Sequence, residues 1–194
     1  MSEIPLFLSM ELELLLPIVK QRVDLKSSTI SLEIVKQCDQ RFEPLRMMEI
    51  FVERKLNIAN TEKSGATDAA GYTSGARVNA DLQNEWNLRI HSLLALHVVI
   101  DEKDRLSLLT SEERKDALQY IQNVNRGIVK SGIVDGAVDN VPIFIHRLFA
   151  EFFAARWFYV HQDRDGVKEF LKWNIYDNNA KEEIKHLIDR MAPK

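Results

Sequence analysis

His146 is the first residue whose type and place could do chemistry. It follows the apolar run Val141-Pro142-Ile143-Phe144-Ile145, whose proline suits a strand at a sheet edge. Beyond it Phe149, Phe152, Phe153, Trp157 and Val160 recur at helical spacing, with Leu148, Ala155 and Tyr159 on the flank. A histidine at that junction lies near a helix N-terminus, where free N–H groups and the helix dipole favour an anion. Its ordinary role there is capping; its chemical role would be to meet a phosphate or carboxylate. Arg147 and Glu151, four apart, can pair on one narrow stripe of the helix. Glu151 stands nearly half a turn away from His146 and makes a poor acid–base partner for it.

The other candidates carry less. His91 and His97 are six apart, which does not set two metal ligands on one face, so both are expected to be core or boundary histidines. There is no Gly-Lys dipeptide, hence no phosphate-cradling P-loop, and no H-E-x-x-H, Cys-x-x-Cys or G-x-S-x-G motif. The sequence therefore predicts no catalytic site and no metal site.

The elements that must position His146 are mostly helices. Few Gly and Pro, with many Leu, Glu, Lys, Gln and Arg, predict a mainly α chain. Pro5 stands at a plausible first helical position before Leu6, Leu8, Met10, Leu12 and Leu14–Leu16, and Pro17 breaks that run. Residues 24–33 read as a polar linker. A helix is predicted from Glu43 to Asn60, with Leu45, Met48, Phe51, Val52, Leu56 and Ile58 inward. Residues 61–77 carry three of the seven glycines and are expected to be a flexible insertion between helices. From Val78 to Ile100 a long helix should turn Leu82, Trp86, Ile90, Leu93, Leu94, His97 and Val98 inward. Thr110 or Ser111 can cap the next helix, with Glu113 three residues after Thr110 closing a capping box, and that helix should end near Asn125. Asp135-Gly136 is a turn dipeptide and Asp139-Asn140 a second polar corner, so Ile133-Val134 and Ile143–Ile145 can form a small hairpin. Two short helices should follow, around Val167, Phe170, Leu171 and Trp173, and around Ile184, Leu187, Ile188 and Met191.

Phe144-Ile145-His146-Arg147-Leu148-Phe149-Ala150-Glu151-Phe152-Phe153-Ala154-Ala155 resembles the F-I-H-x-x-F-x-E-F-F-A-A signature of NACHT-type STAND NTPases, the nucleotide-switched proteins that include NLR receptors and arthropod NACHT–ankyrin proteins. Ile4-Pro5-Leu6-Phe7-Leu8 is similar to the x-P-L-x-L segment that follows their NTPase core, Ser131-Gly132-Ile133 to the segment before their wing, and Phe51–Leu56 more loosely to a helix of the same region. The resemblance implies a winged-helix-like helical domain with one small β-hairpin over residues 1–162, and the start of a second helical domain at 163–194. It implies that His146 bonds the phosphate of ADP and that Pro5 touches the adenine. ADP or ATP would be held only with an upstream nucleotide-binding domain. It further implies a downstream ankyrin or leucine-rich repeat sensor, homo-oligomerisation on activation, and a role in innate-immune signal transduction as a fragment of a longer protein.

Composition agrees with a globular chain: 45% hydrophobic, 28% charged, formal net charge −3. That charge, the acidic wing residues Asp135 and Asp139, and the apolar last long helix speak against a nucleic-acid partner. Cys38 is alone, which favours a reducing compartment. The N-terminal apolar stretch lacks a basic leader, is interrupted by Glu3, Glu11 and Glu13, and falls short of a membrane span, so a cytoplasmic chain without membrane attachment is expected. The alternatives are a ligand-free helical scaffold or interaction module and, less favoured, a winged-helix nucleic-acid binder.

Overall fold

The computed structural model describes Met10, Glu13 and residues 44–64, 74–177 and 181–192. Pro5, the 24–33 linker and the core of the expected insertion, 65–73, lie outside the described residues. The chain divides into two compact units, Met1–Arg54 and Lys55–Lys194. It is mainly α with one small antiparallel hairpin: α1 (Pro44–Ser64), α2 (Ser74–Val99), α3 (Glu102–Leu108), α4 (Ser111–Asn125), β1 (Val134–Val138), β2 (Val141–Phe144), α5 (Arg147–His161), α6 (Asp165–Phe170) and α7 (Glu182–Met191). A π-helical segment, Leu171–Tyr176, continues α6. Helices α1 and α2 take in 61–64 and 74–77, so both ends of the expected insertion are helical.

In the first unit Leu45, Met47, Met48, Phe51 and Val52 of α1 are buried, as is Met10, and the Arg54 guanidinium donates to the Glu13 carbonyl at 2.6 Å. In the second unit Leu56 and Ala59 of the same helix are buried, whereas Ile58, expected inward, is exposed.

The second unit is built around α5. Phe149 to Ala155, Trp157 and Phe158 are all buried, leaving Arg147 and Val160 outward. Each large apolar side chain taken out of water stabilises the fold by about 1.5–3 kcal/mol, so a helix apolar around most of its girth must be walled in on several sides. Helix α2 packs along it most extensively, α7 supports another flank, and β2 closes the N-terminal end. Aromatic contacts mark these seams: Phe144 and Phe152 on Phe153, and Phe158 stacked on Phe170 at 5.5 Å.

Helix α2 departs from its expected orientation. Ile90, Leu93 and Leu94 are buried as read, but His91, Ser92, Ala95 and Leu96 complete the inner face, while Leu82, Trp86 and Val98 are exposed. Its register against α1 is set by a polar zigzag. Asn84 donates to Asn57 and accepts from Asn60, each at 2.6 Å, and Asn87 donates to Asn60 at 3.2 Å. At its C-terminus, Arg105 and Lys181 donate to the carbonyls of His97 and Val99, groups that have no partner within the helix.

The capping box opens α4 as expected: Thr110 accepts from the Glu113 N–H, and the Glu113 carboxylate accepts from the Thr110 N–H at 2.9 Å. The hairpin turns at Asp139-Asn140, both in the left-handed region (φ 52° and 62°), the geometry of a two-residue turn that matches strand twist. Asp135-Gly136 is not a turn. It lies inside β1, where a bulge between Val134 and Gly136 absorbs the extra residue.

Left-handed backbone costs a side-chain-bearing residue more than glycine. Asn140→Gly is therefore expected to raise the stability by about 0.5 kcal/mol, the gain being reduced by the looser unfolded chain. A thermal melt of the variant beside the parent checks this, with a higher Tm expected.

Candidate functional site

The hairpin and α5 meet at His146. The chain leaves β2 at Phe144, Ile145 donates its N–H to the Ile133 carbonyl at 3.0 Å, and His146 takes extended backbone (φ −156°, ψ 143°) as N-cap of α5. Its Nδ1 accepts from the Leu148 N–H at 3.1 Å. An imidazole that accepts at Nδ1 is neutral and carries its proton on Nε2. His146 is exposed, so a donor N–H stands at a helix N-terminus, where the dipole also favours an anion. Beside it Arg147, 81% exposed, bonds Glu151 at 2.7 Å, the pair that their spacing predicted. Glu151 is thereby committed to Arg147.

A second arrangement escaped sequence reasoning. The Ser131 hydroxyl donates to Nε2 of His91 at 2.9 Å, while Nδ1–H of His91 donates to the Asn87 carbonyl at 2.7 Å. Serine, histidine and an orienting acceptor in that order look like an activated nucleophile. The surroundings say otherwise. Both lone pairs of the Ser131 oxygen are taken by the N–H groups of Ile133 and Val134, each at 3.2 Å, and both side chains are buried. The oxygen has nothing left with which to attack, and no substrate could reach it. The pair is an anchor that ties the root of the hairpin to α2. Gly132, at φ +68°, makes the turn between Ser131 and Ile133, a backbone shape that disfavours other residues. Tyr120 packs its ring 5.6 Å from His91. Its hydroxyl is buried near Ser131 without hydrogen-bond geometry to it, and burial pushes its pKa up to about 12.

A third cluster closes the other end of α5. The Glu113 carboxylate, already capping α4, accepts two bonds from the Arg164 guanidinium at 3.1 and 3.3 Å. His161 brings Nε2 to 3.9 Å from the same carboxylate, stacks on Trp157 and bonds the Trp157 carbonyl through Nδ1. Burial raises the Glu113 pKa, but the bonds from Arg164 and Thr110 outweigh it and leave the carboxyl below its ordinary value. Burial lowers that of His161, aided by Arg164 and Arg89. These are ties between α4, α5 and the start of α6, held by pairing that a buried carboxylate requires.

Of the residues singled out from sequence, His146 stands at the predicted junction and Pro5 lies outside the described residues. His91 is a satisfied core histidine, as expected. His97 is partly buried with no partner at Nε2, and burial, with Arg105 nearby, holds its pKa down to about 4. Among the described residues no group of three or more His, Cys, Asp and Glu could hold a metal ion, and no helix is long and apolar enough to cross a membrane. Comparison with protein-family models, with curated proteins and with solved structures gave no match to this chain.

Ser131→Ala would leave two backbone N–H groups and His91 Nε2 without their partner in the interior, and should cost about 2–3 kcal/mol in urea unfolding. His97 sets a pH dependence. Its folded value near 4 lies below the unfolded one, so the unfolded state binds more protons between them and stability is lost as pH falls from about 6.5 through about 4. His161, shifted the same way, adds to the loss. Urea midpoints measured from pH 7 to pH 4 should decline, and His97→Leu should flatten the decline.

Proposed function

We propose that this chain is a regulatory module of a nucleotide-switched signalling NTPase of the NACHT type, in which His146 bonds a nucleotide phosphate and favours the closed, ADP-bound state. One observation carries the proposal: His146 spends Nδ1 on capping α5 and keeps an Nε2–H on the exposed side of a helix N-terminus. That arrangement supports a phosphate contact because the ring is fixed in place by the atom that does not meet the ligand. The match of Phe144 to Ala155 to the family signature supports the identity of the phosphate as a nucleotide's. In this reading residues 1–162 are the winged-helix domain and 163–194 open the next helical domain. An upstream NTPase domain supplies ADP or ATP, a repeat sensor follows, and the assembly works in the cytoplasm and oligomerises when it opens. The chain itself performs no catalysis, and Pro5 would face the adenine.

A second reading has one observation in its favour. The helix directly before the hairpin is α4, whose outward side presents Arg114, Lys115, Gln119, Gln122 and Arg126, side chains suited to a nucleic-acid groove. Glu112 on the same helix, and Asp135 and Asp139 on the wing, oppose it.

Titration with ADP up to about 10 mM, followed by backbone and imidazole NMR, tests the phosphate contact by itself, because firm retention of the nucleotide belongs to the upstream domain. Saturable shifts at His146, Arg147 and Leu148 are expected, with an affinity in the order of 1 mM for so few contacts. His146→Ser keeps a capping oxygen but is too short to place a donor where Nε2–H stands, so it should fold like the parent and lose the response. Silence of these signals toward both ADP and pyrophosphate at about ten times that concentration would remove the phosphate contact and leave a nucleotide-free scaffold. Salt-sensitive binding of duplex DNA with shifts along α4 would favour the second reading.

A further inference from the structure

We draw no further inference here: the strongest candidate, the exposed apolar outer face of the hairpin formed by Val138, Val141, Ile143 and Ile145, carries none because nothing in the structure shows what covers it.

Discussion

The burial of α5 is the constraint from which the second unit follows. A helix with nine of its fifteen residues buried cannot lie on a surface. It needs a long partner, which α2 supplies, a second wall in α7, and a cover at its N-terminal end, which the hairpin provides. Ala150, Ala154 and Ala155 leave room for neighbouring backbones, while Phe149, Phe153, Trp157 and Phe158 fill the spaces between. Residues 165–177 and 182–191 join this same arrangement through Phe170 on Phe158 and through α7 along α5.

Polar groups then decide where the ends of α5 are held. At the N-terminal end, His91 and Ser131 fasten the hairpin root to α2. At the C-terminal end, Glu113 draws Arg164 and His161 toward the start of α4. Neither arrangement is an optional ornament. A Ser131 oxygen that receives two backbone N–H groups and gives its proton to His91 satisfies three groups that would each be costly to bury alone. The hairpin brings little core of its own, with Pro142 buried and Phe144 half-buried, so directional bonds place it where apolar area is scarce.

Local patterns were legible in the sequence wherever the physics is local. Thr110 and Glu113 stand at capping-box spacing, α4 ends at Asn125 where its apolar period ends, and the change from period 2 to period 3.6 marks His146. Ambiguity arose where two signals compete. Asp135-Gly136 and Asp139-Asn140 are both turn dipeptides, and only pairing across the strands selects the second. The buried face of α2 departs from its apolar pattern for a different reason. Its apolar residues do not form one clean stripe, and the buried face includes Asn87, whose partner lies on α1, His91, whose partner lies at the hairpin root, and Ser92, which donates to the Leu88 carbonyl one turn back. A side chain satisfied by a group 40 or 51 residues away, as in His91–Ser131 and Glu113–Arg164, leaves no periodic trace.

His146 joins the two levels. Because Nδ1 must accept from the Leu148 N–H to cap α5, the ring is held in one orientation by the helix whose burial organises the unit. The same bond assigns the remaining proton to Nε2. A donor placed this way loses little conformational freedom when it meets an anion, and it depends on no residue of its own for positioning beyond the helix it caps. Fold and site are therefore not separate claims about this histidine. Any change that lets α5 shift against α2, or frees the hairpin root from Ser131, would move the donor N–H before it altered the chemistry of the imidazole.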